Sequence, residues 1–214
     1  MRLRKKPRIE EKIREFSHLL VDEPALWKGK WRQLFQNDNP LHVEVGTGKG
    51  RFLTTLAQYN PGINYIGVEY MQDVIYYAAR KADEKELQNL KLLCFDVNNI
   101  REIFQPGEVR RLYINFCDPW PKNRHAKRRL THHNFLADYR RILVPGGEIH
   151  FKTDNEQLFA FSLNEFAAER AFQLQNITLD LHNSGYVGNV MTEYEVKFSL
   201  QGMKIFRCEA KLLD

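Results

Sequence analysis

Apolar residues fall on alternate positions at Leu41, Val43 and Val45. Past Gly46-Thr47-Gly48-Lys49-Gly50 they switch to the helical spacing of Phe52, Leu53, Leu56 and Ala57. A period of two followed by one near 3.6, with glycines between, predicts strand, turn and helix. The change recurs. Ile63–Val68 predicts a second strand ending at Glu69, and Val74, Ile75, Ala78 and Ala79 a helix that stops before Asn89. Leu90–Phe95 predicts a third strand, ending at Asp96. A fourth, Leu112–Phe116, puts Leu112, Ile114 and Phe116 on one face with Tyr113, Asn115 and Cys117 on the other, and ends at Asp118. Phe135, Leu136, Tyr139 and Ile142 mark a helix over about Thr131–Leu143, and Pro145-Gly146-Gly147 a turn into a fifth strand, Glu148–Lys152, with Thr153 and Asp154 at its exit. The stripe Leu158, Phe159, Ser162, Leu163 and Phe166 makes Asn155–Arg170 helical. Phe172, Leu174, Ile177, Leu179 and Leu181 predict a sixth strand, irregular near Asn176. Upstream, Trp27, Trp31, Leu34 and Phe35 fit one helix, with Pro24 at its start.

After the polar loop His182–Asn189, Thr192-Glu193-Tyr194-Glu195 fits a capping box: Thr192 satisfies a backbone N–H and Glu195 reaches back. It predicts a helix over Thr192–Leu200, closed by Gly202. Ile205–Leu212 is the last strand, and with no crossover helix before it, antiparallel pairing is expected. Helices follow the first, second and fourth strands, as in a parallel sheet whose strand ends line one crevice. The residues at those ends, Gly46, Glu69, Asp96 and Asp118, therefore converge.

Glycines after the first strand let backbone approach a ligand, and the helix N-terminus favours polar or anionic groups. This is not a P-loop, because Val43 stands at the first glycine position and Gly50 where Ser or Thr follows the Lys. Glu69, about 20 residues beyond the turn, is placed to accept from both hydroxyls of a ribose. In Asp118-Pro119-Trp120-Pro121-Lys122 the prolines forbid further ladder and present Asp118, Trp120 and Lys122 on a rigid turn. Arg124, Lys127, Arg128 and Arg129 follow, a cationic loop suited to phosphates.

The net charge is +5, concentrated at Arg2–Arg8 and Arg110–Arg129, which points to a polyanionic partner met on limited surfaces. Cys94, Cys117 and Cys208 are odd in number and far apart, against a disulfide framework or a thiolate metal site. None of the seven histidines falls in H-E-x-x-H. His132 and His133, being adjacent, should point different ways on a helix as surface or capping groups, so no metal is expected. No stretch is long and apolar enough for a bilayer, and Glu10, Glu11 and Lys12 interrupt any signal sequence, so a cytoplasmic protein is expected.

Taken together, Val43-Glu44-Val45-Gly46-Thr47-Gly48-Lys49-Gly50, Glu69, Asp96, Asp118 to Lys122, the Arg124 to Arg129 loop, Thr153-Asp154 and Thr192 to Glu195 resemble the bacterial tRNA (guanine-N7-)-methyltransferase family over nearly the whole chain. The resemblance implies a Rossmann-like class I methyltransferase fold: a seven-stranded, mostly parallel α/β sheet with the last strand antiparallel and helices on both faces. The chain is expected to be one domain, 1–214, with a flexible basic tail at about 1–8, acting as a monomer or homodimer. By the same resemblance Glu44, Gly46, Gly48, Glu69, Asp96 and Asp118 hold S-adenosylmethionine, and Asp118 is catalytic. Lys122, Asp154, Thr192, Glu193, Tyr194 and Glu195 form the guanosine pocket, and Arg124, His125, Lys127, Arg128 and Arg129 contact tRNA. The residues alone leave two alternatives: a nucleotide-dependent oxidoreductase, with Glu69 on an NAD ribose, and a tRNA-binding protein without activity.

Overall fold

The computed structural model describes residues 9–199 and 201–213, so the basic tail expected at 1–8 lies outside the described residues. Seven strands form one sheet in the order β3-β2-β1-β4-β5-β7-β6. They are β1 (Leu41–Val45), β2 (Asn64–Glu69), β3 (Leu90–Cys94), β4 (Val109–Asn115), β5 (Leu143–Thr153), β6 (Phe172–Thr178) and β7 (Phe206–Leu212). β1 to β5 pair in parallel, whereas β7 lies antiparallel to both β5 and β6. The helices are α1 (Ile9–Ile13), α2 (Trp31–Phe35), α3 (Arg51–Tyr59), α4 (Gln72–Glu84), α5 (Ile100–Ile103), α6 (His133–Ile142), α7 (Glu156–Ala168) and α8 (Glu193–Ser199).

Strand alternation divides the core in two. Val43, Val45, Ile66, Val68, Leu112, Ile114, Ile149 and Phe151 face Leu136, Tyr139, Leu158 and Phe166 of α6 and α7. Tyr65, Leu92 and Tyr113 face Phe52, Leu53, Ile75 and Ala78 of α3 and α4 on the opposite side. Helices on both faces bury the sheet and leave the ends of β1 to β4 along one edge.

Four expectations change. The Trp27 to Phe35 stripe breaks into a 3-10 turn, Pro24–Trp27, and the short α2, because Gly29 takes a positive φ of 75° between them. Pro145-Gly146-Gly147 does not end a loop. It lies inside β5, where Gly146, at φ 66°, absorbs the register shift opposite Val109 and Arg111 as a bulge. The fourth strand stops at Asn115. Phe116 adopts φ 50°, which reverses the alternation: its ring leaves the core to meet Tyr194 at 5.0 Å, and Cys117 turns inward against the core instead. His132 and His133 do not diverge, since His132 is the extended N-cap of α6 and not part of the helix, and the rings lie 3.8 Å apart. The irregularity near Asn176 is present, at φ 51° with a register shift between Gln175 and Thr178.

Candidate active site

The turn after β1 is built on Glu44, whose side chain is 1% exposed. Thr47 Oγ1 donates to Glu44 Oε2 at 2.6 Å, and Asn115 Nδ2, from the end of β4, donates to Oε1 at 2.8 Å. Burial pushes the carboxyl pKa up to about 8, against those two donors and the Lys152 ammonium. A neutral acid therefore sits under the glycine turn at neutral pH.

The glycines divide by role. A Cβ on Gly46 would meet nothing within 4 Å and one on Gly48 only the Gly46 carbonyl at 4.0 Å, so both border open space. At Gly50 the same atom would stand 2.6 Å from the Ala78 Cβ, so this glycine lets α3 and α4 approach. A cavity of about 200 Å³ lies above the turn, lined by Glu44, Gly46, Thr47, Gly48 and Phe116 and, from α8, by Thr192, Glu193 and Tyr194. Glu69, Asp96, Asp118, Lys122 and Asp154 do not line it.

Those acids have definite partners around the same edge. Glu69 accepts from Gly48 N at 3.1 Å and Met71 N at 3.0 Å, bracing the turn while each oxygen keeps a further lone pair for a ligand. Asp96 Oδ1 caps the next 3-10 turn, accepting from Asn98 N at 2.9 Å and Asn98 Nδ2 at 2.7 Å. Asp118 is exposed two residues beyond the left-handed Phe116 and two before the left-handed Trp120, at φ 42°. Two non-glycine residues at positive φ mark strain around this carboxylate.

On α8, half of the capping box forms: Thr192 Oγ1 accepts from Glu195 N at 3.0 Å. Glu195 does not reach back to the cap. Its fully buried carboxylate accepts from Lys152 Nζ at 2.8 Å and Asn189 Nδ2 at 2.7 Å, and His182 Nε2 lies 3.2 Å away. Lys152 also donates to Val190 O at 2.9 Å and Asn189 Oδ1 at 3.1 Å, and its burial lowers its pKa although Glu195 opposes this. Glu193 accepts from Arg51 N at 3.1 Å and from Lys81 Nζ, fastening α8 to the glycine turn. The Tyr194 hydroxyl donates to Asp154 Oδ2 at 2.8 Å, and desolvation with the carboxylate's charge pushes the phenol pKa up to about 12.

In the cationic loop, Lys122, Arg124, Lys127 and Arg128 are exposed and His125 half-buried. The Arg128 guanidinium covers Trp120 at 4.9 Å and His125 meets that ring edge-on. Arg129 alone of the four arginines and lysines after Asn123 turns inward, at 9% exposure. Beyond it, His132, His133 and Glu165 bring ligand-type atoms within 4.8 Å of one another, beside Lys127 and Arg129 and at the positive end of α6. That field opposes a bound cation.

A family profile described as "Putative methyltransferase" matches residues 38–208. A curated protein of Clostridioides difficile (strain 630) named tRNA (guanine-N(7)-)-methyltransferase is 57% identical over 212 residues, 99% of both chains, and one of the same name from Bacillus subtilis (strain 168) is 50% identical over 99% of both. The chain belongs to the tRNA (guanine-N(7)-)-methyltransferase family. Among solved structures, a 16S rRNA methyltransferase superposes with a TM-score of 0.64 at 12% identity, covering 87% of this chain and 94% of that one. A 16S rRNA (adenine(1408)-N(1))-methyltransferase variant from Catenulisporales acidiphilia, solved with SAM, gives 0.58 at 17%, covering 87% and 91%. At that identity they establish the class I methyltransferase fold alone. No helix among the described residues is long and apolar enough to cross a membrane.

Sequence reasoning passed over Lys152, Asn115 and Thr47, which hold the acids in place. No local signal marked Lys152: it shares a strand face with the polar Glu148 and His150, opposite Ile149 and Phe151, and only packing against α8 buries it.

Proposed function

We propose that the protein transfers a methyl group from S-adenosylmethionine to N7 of a guanosine in the variable loop of tRNA, leaving 7-methylguanosine. The single observation that carries this reading is the cavity that joins the glycine turn of β1 to Thr192–Tyr194 of α8, so that a cofactor cleft and a base-binding helix share one mouth. The nature of the base follows from what the relatives are named for. Their names lend nothing to the oxidoreductase alternative or to a binding-only protein.

The acid-lined, open-sided turn suits the cofactor. Gly46 and Gly48 leave room for it, Glu69, Asp96 and Asp118 supply acceptors for its hydroxyls and cationic groups, and the buried Glu44 holds the turn that borders it. When bound, the cofactor supplies a methyl carbon activated by a sulfonium. Guanine N7 already exposes its lone pair, so the chain removes no proton from it. Alignment and electrostatics carry the rate. Methylation at N7 would leave positive charge on the purine, which the Asp118 carboxylate would favour over the neutral ground state. The N1–H and N2–H₂ edge of guanine suits Asp154, whose Oδ1 is left over from the Tyr194 bond. Glu195, with both oxygens engaged, holds α8 against the sheet and does not read the base. Lys122, Arg124, His125, Lys127 and Arg128 face the tRNA backbone.

Labelled-methyl incorporation into bulk tRNA, with mapping of the modified nucleotide, tests the reading. Replacing the target with 7-deazaguanosine abolishes transfer; incorporation there sinks the N7 chemistry. Asp118→Ala lowers turnover with tRNA affinity retained, and normal turnover in that variant removes Asp118 from catalysis.

A further inference from the structure

The segment Pro119-Trp120-Pro121 has one backbone N–H among three residues, which bars it from a ladder, and no backbone N–H among the described residues donates to the Pro119 or Trp120 carbonyl. Arg129 supplies the missing donors. Its Nε donates to Pro119 O at 3.2 Å and is shared with Trp120 O at 3.3 Å, and Nη2 donates to Trp120 O at 3.0 Å. The guanidinium lies 4.3 Å over the Phe161 ring of α7, which fixes its plane against the protein. Its neighbours Lys127 and Arg128 are exposed.

We infer that Arg129 is a positioning residue within an otherwise RNA-facing loop: its planar fork fixes the strained turn that presents Asp118, and it makes no phosphate contact. This departs from the expectation that all of Arg124 to Arg129 meets tRNA, and its kinetic arm rests on the methyl-transfer reading. A guanidinium is required, since it offers parallel donors in one rigid plane to two adjacent carbonyls. A lysine keeps the charge but not the fork. Arg128 and His125 meet the Trp120 ring, whereas Arg129 binds the backbone of this residue, held at φ 42°.

The full chain is tested as wild type, Arg129→Lys, Arg129→Ala and Arg124→Ala. Arg129→Lys retains a charge for any phosphate, so positioning predicts a kcat lower by roughly tenfold to a hundredfold, the scale of misplacing a reacting group by about an ångström, with KM for tRNA near wild type. Hydrogen exchange rises within residues 116–130 of the same variant and not elsewhere. In the slope of log tRNA affinity against log salt, Arg124→Ala removes about 0.7 to 0.9, whereas Arg129→Ala leaves the slope unchanged. A wild-type kcat and exchange pattern in Arg129→Lys, or a slope flattened in Arg129→Ala as in Arg124→Ala, overturns the inference. Should wild type transfer no methyl group, the functional reading fails by itself, because exchange and salt slope still report on Arg129. Should Arg129→Ala not fold, Arg129→Lys decides the matter.

Discussion

Replacing Glu44 with Gln should make the protein more stable at pH 8 and change little at pH 5. Glu44 is buried, and its pKa rises from 4.5 to about 8 in the fold, chiefly through desolvation. An unfolded chain loses this proton near 4.5. Between the two values the unfolded state is ionised while the folded state keeps its proton, so the stability the group lends is complete below 4.5 and drains away as pH rises to about 8. The loss is roughly 1.4 kcal/mol per pH unit, an upper bound near roughly 5 kcal/mol over that interval. Relaxation and water entry reduce it, so about 2 to 4 kcal/mol is expected between pH 5 and 8. Glutamine has no proton to lose. Its amide oxygen can still accept from Asn115 Nδ2, and its Nε2 can donate to Thr47 Oγ1, reversing the bond that Thr47 makes to Glu44 so that neither group is left unpaired. The assay is urea unfolding of both cofactor-free proteins from pH 5 to 8.5, comparing their difference at each pH so that His42, His150 and Glu148, common to both, cancel. Two stability curves that run parallel would show Glu44 ionised in the free protein, and the desolvation argument would be wrong.

The glycine turn should separate two costs: Gly50→Ala drives a methyl group into Ala78 and costs about 2 to 4 kcal/mol of stability. Gly46→Ala, facing open space at φ 75°, costs about 1 kcal/mol and mainly weakens cofactor affinity, as paired thermal melts and binding titrations will show. Lys152→Met strands the buried Glu195 carboxylate and should cost about 3 to 5 kcal/mol, most of it recovered in the double variant with Glu195→Gln; denaturant unfolding of the three proteins measures it. Thr192→Ala removes the cap from α8, a loss of about 1 kcal/mol that hydrogen exchange should locate within residues 192–199.

Much of the architecture was legible in the chain. Periods of two and 3.6 report which face of a segment is apolar, and that pattern depends only on residues a few positions apart. It identified all seven strands, though the fifth begins at Leu143 and not Glu148, along with the antiparallel last strand and the irregularity at Asn176. It also placed acids at the ends of consecutive parallel strands, because in this topology a strand's end is a location in space. The Thr192 cap was equally readable, being a bond across three residues.

What lay beyond the sequence was the use to which charged and aromatic side chains are put. Lys152 and Glu195 are 43 residues apart, and only the packing of α8 on β5 buries them together. The inward turn of Arg129 answers two carbonyls, Pro119 O and Trp120 O, that no backbone N–H among the described residues reaches, so the partner is whichever donor the fold brings near. A run of basic residues looks uniform by composition. Tertiary structure alone assigns one of them to the backbone and leaves the others to solvent, because burial and hydrogen-bond partners are properties of the assembled surface.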